Sequence, residues 1–312
     1  MTINYFEPIS RGWNRMVKAL FKPFDISKWF VVGFTAFLAN LLDSDGGSGY
    51  SRLKDDNNID FNELFEFPLI ARDWLLENIS WAILILFGIM LIFALIILLT
   101  WLSSRGKFMF LDNVIHNRAL IAKPWYEFKK EGNSLFLWRV AFGFICFFIF
   151  IMLAVVFFVT AYDFYDGELV GQSPVLYIIG FVLLVLMVII VIAYISRFLE
   201  DFVIPIMYKY NITATEAWKS FLPLFSKYWL YFILYGLLIF FMAILVFIAI
   251  VFLGLFTCCI GFIFLIIPYI SSVITLPISY FFRSFSVEFL EQFGPDFKIF
   301  PDEEIAAAEK MV

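Results

Sequence analysis

Residues 196–229 read SRFLEDFVIPIMYKYNITATEAWKSFLPLFSKYW. The stretch leaves one long apolar segment at Ser196-Arg197, crosses a polar and weakly basic region, and enters the next through Trp218, Leu224-Phe225 and Trp229. Working outward, a similar passage runs from Ser104-Arg105 to Trp125, Leu135-Phe136 and Trp138. A third begins at Trp13, Leu20-Phe21 and Trp29, and the last apolar segment is left at Arg283-Ser284. The pattern predicts three copies of one module: an aromatic surface helix, a span in, a turn, and a span out. Their bounds fall at about 10–104, 105–197 and 198–284. The expected fold class is all-α integral membrane, with six transmembrane helices as three repeated helix-hairpin modules and amphipathic cytoplasmic interfacial helices.

Composition agrees. The chain is 63% hydrophobic and 16% charged, with a mean hydropathy of +0.92, outside the range of soluble domains. Its 43 Phe residues would leave large apolar patches on a water-soluble surface. No basic block with interleaved aromatics marks a nucleic-acid partner. The first residues, MTINYFEPISRGWNRMVKALF, lack the basic-then-apolar order of a cleavable signal, so the first span is expected to stay in the mature protein.

Residues 10–24 place Trp13, Met16, Val17, Leu20 and Phe21 at helical spacing among Arg11, Arg15, Lys18 and Lys22, the pattern of a helix lying in the headgroup layer. Spans are expected at Trp29–Leu42, Ile79–Leu102, Val140–Thr160, Val175–Ile195, Leu230–Leu253 and Phe262–Phe282, with Asp25 to Lys28 as a turn before the first. Trp13, Trp29, Trp125, Trp138, Trp218 and Trp229 fall where interfacial anchors are expected. An acidic loop, 43–78, separates the first two spans, and an acidic tail, 291–312, closes the chain. Lys and Arg crowd one side, where only Arg52, Lys54 and Arg72 fall on the other. The imbalance predicts both termini and the tail in the cytoplasm and the 43–78 loop outside.

Motifs for chemistry are scarce. Asp43-Ser44-Asp45-Gly46 starts like a calcium loop, but Ser48 and Lys54 stand where that loop needs Gly and Glu. One histidine, His116, is expected on the surface, and Cys146, Cys258 and Cys259 lie in or beside apolar runs as packing residues. No phosphate-cradling Gly-rich loop, dinucleotide fingerprint or nucleophile elbow is present, so no catalytic, cofactor-binding or metal-ligating residues are assigned. All six spans are free of Asp, Glu, Lys, Arg and His, which disfavours an ion-coupled pump.

Two clusters stand out. Ser271, Thr275 and Ser279 recur at i, i+4 and i+8, with Ser272 beside them and Pro268 and Pro277 freeing backbone carbonyls. They form a candidate polar cleft in a kinked or locally unwound last span. The competing account is that small hydroxyl residues let helices approach closely. Arg197, Glu200 and Asp201 form a candidate cytoplasmic charge cluster at a span exit. The other exits pair Arg105 with Asp112 and Arg283 with Glu288 and Glu291, and that recurrence points to a structural role.

The runs RGKFMFLDNV (105–114), KPWYEFKKEGNSLFLWR (123–139), FVIPIMY (202–208) and ITATEAWKSF (212–221) carry a family likeness. Over most of residues 5–290 the chain resembles an uncharacterised family of prokaryotic six-span integral membrane proteins. That family looks related to the membrane domain of some glycerophosphodiester phosphodiesterases. The resemblance implies a fold and a prokaryotic inner membrane. The soluble catalytic domain of those enzymes uses paired histidines and metal-binding carboxylates, and its activity is not carried over to a chain with His116 alone. The function expected is a non-enzymatic accessory or scaffold, with membrane lipids and a membrane protein complex or homo-oligomer as partners. The alternative is a passive transporter or channel using the polar face of the sixth span; a lipid-modifying enzyme ranks third.

Overall fold

Long apolar runs give the backbone no polar partner but itself, and helix is the local solution. The computed structural model describes residues 3–42, 72–165, 174–257 and 260–301. Apart from one isolated bridge between Phe21 and Phe24, every regular element among them is helical. In order these are α1 (Phe6–Leu20), α2 (Ile26–Ala39), α3 (Ile79–Ile115), α4 (Ala122–Glu127), α5 (Lys129–Tyr165), α6 (Pro174–Phe198), α7 (Ile204–Tyr210), α8 (Ala214–Phe256), α9 (Ile260–Ile266), α10 (Pro268–Ile274) and α11 (Leu276–Glu291). A π-helical turn, Leu199–Val203, carries α6 into α7. Asp43-Ser44-Asp45-Gly46, most of the acidic loop, Cys258, Cys259 and the end of the tail lie outside the described residues.

Among the described residues four helices are long and apolar enough to cross a membrane: α3, α5, α6 with its continuation to Tyr210, and α8. A fifth is added if the bent pair α10–α11 counts as one crossing. α2 differs from its expected form. It starts at Ile26, where the Asp25 carboxylate accepts from Ser27 N at 2.9 Å and Lys28 N at 3.3 Å. The residues expected as a turn are therefore its first helical turn. It ends at Ala39, and its 14 residues span about 21 Å, short of a ~30 Å core. Phe262–Phe282, expected as one span, is broken into α9, α10 and part of α11, with 62° between the last two. Ile267, preceding Pro268, is extended (φ −82°, ψ 110°), as the ring of a following proline demands.

Burial is concentrated at one end. The end of α3 from Ser103 to Ile115, the stretch Phe198 to Met207, most of α11, and the inner faces of α1 and α2 form the core. Here α1 lies on α11, α3 on α5, and the π-turn with α7 on α8, while α2 packs against α3 and α10. Phe202 is fully buried among Phe198, Phe221, Phe232, Tyr235 and Phe289, with ring centroids 4.9–6.0 Å away. By contrast, the most apolar windows of α3, α5 and α6 have no buried residue, and that of α8 is 6% buried. The molecule is a packed base carrying splayed apolar legs.

Local signals shape the base. Asn211 takes the left-handed conformation (φ 53°) that ends α7. Two residues on, Thr213 and Glu216 form a reciprocal capping box that starts α8.

Candidate functional site

Three helices leave their apolar stretches at Ser103-Ser104-Arg105, Ser196-Arg197 and Arg283-Ser284, and the structure brings the three exits together. Glu200, on the π-turn, pairs with Lys107 of α3, whose side chain is only 2% exposed. Arg283 Nη1 of α11 donates to the Glu200 carbonyl at 2.6 Å. Asp201 accepts from Tyr235 OH of α8 at 3.1 Å and lies 3.9 Å from Arg197 Nη1. A π-turn holds an extra residue, and here the consecutive carboxylates reach different helices. Charges taken out of water cost several kcal/mol unless matched, and these are matched.

A second buried carboxylate sits beside this group. Asp112, 1% exposed, accepts from Arg118 Nη2 at 2.7 and 2.8 Å, Arg118 Nε at 3.0 Å and Tyr208 OH at 2.9 Å. His116 Nδ1 lies 3.2 Å from the same carboxylate and 3.3 Å from Tyr208 OH. Asp112 is ten residues past the apolar end of α3 at Leu102, in the base. Burial pushes its carboxyl up, but hydrogen bonds from His116, Arg118 and Tyr208 with the Arg118 charge outweigh that, holding it below the usual carboxylate range. His116, expected on the surface, is a half-buried member of this network.

The pairings expected at the other exits are replaced. Arg105 lies over Trp101 at 4.5 Å and Trp125 at 4.9 Å and donates to Asn133 Oδ1 at 3.1 Å, a cation–π clamp rather than a bond to Asp112. Glu288 takes Arg15 at 2.5 Å and Arg11 at 3.7 Å from α1. Glu291 accepts from Ile299 N at 2.7 Å and Phe300 N at 2.6 Å. Phe300 is buried under Arg15, so the chain stays on the base for several residues after α11.

Of the residues singled out in the sequence, Arg197 and Asp201 approach to 3.9 Å, while Glu200 on the same turn pairs with Lys107. Ser271, Ser272, Thr275 and Ser279 are all half-buried. Thr275 Oγ1 donates to the Ser271 carbonyl at 2.8 Å, while Ser279 lies beyond the seam between α10 and α11. Among the tryptophans, Trp13 and Trp229 are more than half exposed. Trp29 Nε1 donates to the Leu20 carbonyl at 2.8 Å, Trp125 holds Arg105, and Trp138 of α5 stacks on Trp218 of α8 at 5.6 Å. Lys107, Tyr208 and Tyr235 carry no distinguishing signal in the sequence. Lys107 looked like any basic residue past a span, and tyrosines within aromatic runs gave no separate signal.

Among the described residues, several cavities adjoin the base. One of about 510 Å³ lies between α5 and α6, with Trp138, Arg139, Gly143, Ser196, Arg197 and Glu200 in its walls. An apolar groove of about 540 Å³ lies on the other flank of α6, against Trp218 and Phe225 of α8. A third, about 290 Å³, lies between α1 and the segment after α11. Among the described residues no three of His, Cys, Asp and Glu are grouped to hold a metal ion.

Residues 5–269 match a family of unknown function, DUF7544. The chain belongs to that family. The match takes in the exits at Arg105 and Arg197, the Asp112 network and the break at Ile267, and it ends within α10. No curated protein and no solved structure matches the chain. DUF7544 thus gives this chain a kinship without an activity.

Proposed function

We propose that this DUF7544 protein is a non-enzymatic, multi-pass protein of a prokaryotic cytoplasmic membrane. It acts as an accessory or scaffold that organises lipid or a partner complex, including one made of its own copies. The carrying observation is the apolar legs, whose most apolar stretches the other described residues leave almost entirely uncovered, while charged exits are locked in a buried network. In this reading α2 and the broken α9–α11 stretch are the two shallow or interrupted crossings of a six-span, three-module chain. The order of packing supports it, since α1 meets α11, α3 meets α5, and the π-turn with α7 meets α8. The Lys/Arg imbalance supports a base and both termini on the cytoplasmic side. The likeness to the phosphodiesterase membrane domain rests on the quoted runs and brings no reaction with it.

The test is extraction in mild detergent, with native mass measurement of protein and bound lipid. Retained lipid, a specific membrane partner or a homo-oligomer is expected. A lipid-free monomer that keeps its full stability would sink the proposal. Single cysteines labelled from either side should place the termini together in the cytoplasm; termini on opposite sides would refute the topology.

A second reading, passive passage of lipid or a small solute, has one observation behind it. The breaks at Ile267-Pro268 and Thr275 interrupt the helix beside Ser271, Ser272 and Ser279. The reading predicts that Ser271→Ala with Thr275→Ala lowers flux in proteoliposomes, and unchanged flux eliminates it.

A further inference from the structure

Helices α5 and α6 touch at their hairpin end, where Phe157 lies 4.9 Å from Phe181 and 6.3 Å from Tyr177. Toward the base they part, leaving the cavity of about 510 Å³. Its walls change character along its depth. Arg139 immediately precedes the apolar run that starts at Val140, and Arg197 follows the one that ends at Ile195, so both guanidiniums stand at the level where hydrocarbon gives way to charge. On the apolar side Phe142, Gly143 and Ala193 line it, and on the charged side Glu200 does.

We propose that this cleft binds the headgroup of an anionic phospholipid, with the phosphate held between Arg139 and Arg197. The inference deepens the scaffold reading by naming the lipid class, and it rests on the same membrane placement. Charge favours an anion. The Glu200 carboxylate in the wall is paired with Lys107, and Asp201 is shared between Arg197 and Tyr235. Among the residues that line the cavity, the charged ones are the two guanidiniums of Arg139 and Arg197 and the Glu200 carboxylate. Arg139 Nη1 donates to Ser103 Oγ at 2.9 Å, which orients it. With five N–H donors apiece in a planar fork, guanidiniums keep such contacts while presenting others to a phosphate. Ser196 adds a hydroxyl, and Trp138 an amphipathic ring of the kind that sits at headgroup level. Acyl chains from a phosphate at this height run along the exposed apolar flanks of α5 and α6, where Ile145 and Ile190 are more than half exposed.

The experiment uses the full chain in nanodiscs of phosphatidylcholine doped with phosphatidylglycerol, with native mass measurement of retained lipid. The wild type is expected to retain phosphatidylglycerol in preference. Arg139→Gln with Arg197→Gln should lower that preference at least about tenfold, the scale of one lost charge-assisted contact. Gly143→Trp gives an independent arm. A Cβ there meets nothing within 4 Å, so the new side chain enters open space and obstructs the cleft with both arginines intact. It should lose the preference too, whereas Arg139→Lys with Arg197→Lys and the exposed-site variant Lys219→Gln should keep it.

A preference that survives both the double Gln variant and Gly143→Trp overturns the proposal, as does an equal loss with Lys219→Gln. Displacement of the lipid by inorganic phosphate alone would mark a soluble-anion site and overturn the lipid assignment. Lipid retained without headgroup preference leaves the scaffold standing and removes the cleft. A stable lipid-free monomer removes both.

Discussion

Gly106 and Gly88 lie on the same helix, α3, and meet opposite surroundings. A Cβ on Gly106 would come within 2.6 Å of the Ala39 nitrogen and the Leu38 carbonyl carbon, so the backbone of α2 lies directly against it. A Cβ on Gly88 would meet nothing within 4 Å, and the same holds for Gly143 in α5 and Gly180 in α6. The base is packed to the backbone, whereas the legs meet each other only at scattered points such as Phe157 and Phe181. The difference follows from the solvent. Lipid tails are as apolar as leucine, so no hydrophobic force gathers purely apolar helices. In the base, by contrast, buried charges must find partners and rings must leave water, and both demands fix geometry.

The largest test of that contrast is Lys107→Ala, which leaves the Glu200 carboxylate without its buried cation. Breaking such a pair costs roughly 3–5 kcal/mol, and thermal unfolding in detergent should show the loss. A fall below about 1 kcal/mol would mean that the base is not held by its charges. Next is Gly106→Ala, where overpacking against main chain should cost about 1–3 kcal/mol. Unchanged stability would show that α2 can move away from α3.

Asp112→Asn should cost about 2 kcal/mol, the scale of charged hydrogen bonds lost to Arg118. It also carries a pH signature. The carboxyl is held below its ordinary value in the fold, so its contribution is complete above the unfolded value of about 3.9. That contribution is lost as pH falls through the lower folded value. Wild type should therefore lose stability at acid pH more steeply than the Asn variant, and parallel curves would refute the role given to Asp112. The smallest effects belong to the legs. Gly88→Ala and Gly180→Ala should raise monomer stability by up to about 1 kcal/mol, the helix-propensity gain over glycine with no packing contact to disturb. If either instead breaks an oligomer in native mass measurement, that leg face has a protein neighbour rather than lipid.

Much of this was legible residue by residue. The apolar runs and their charged exits marked the long helices, and Pro268 and Pro277 foretold the broken last segment. Arg197, Glu200 and Asp201 were found because an exit is a local event, visible in a few consecutive residues. The partners were not legible. Arg105 was matched to Asp112 because both lie on one helix, but it turns instead to Trp101, Trp125 and Asn133, the last two from beyond the turn. Glu200 meets Lys107 across 93 positions, and Glu288 meets Arg15 across 273. His116 reads as peripheral in the sequence, and only the fold sets Tyr208 beside it. At the start of α2 the local signal is ambiguous: Asp25 fits a turn and, standing before an apolar helix, fits an N-cap, and the fold uses it as the N-cap.

Hydropathy along the chain alone determined the all-helical, membrane-embedded class and the ends at which charge gathers, since the free energy of moving each residue out of water depends little on its neighbours. Which cation meets which carboxylate, which glycine touches a backbone and where the two arginines face one cleft were decided only by the tertiary fold. Those are properties of distance between segments remote in the chain, and a pattern confined to successive residues does not record that distance.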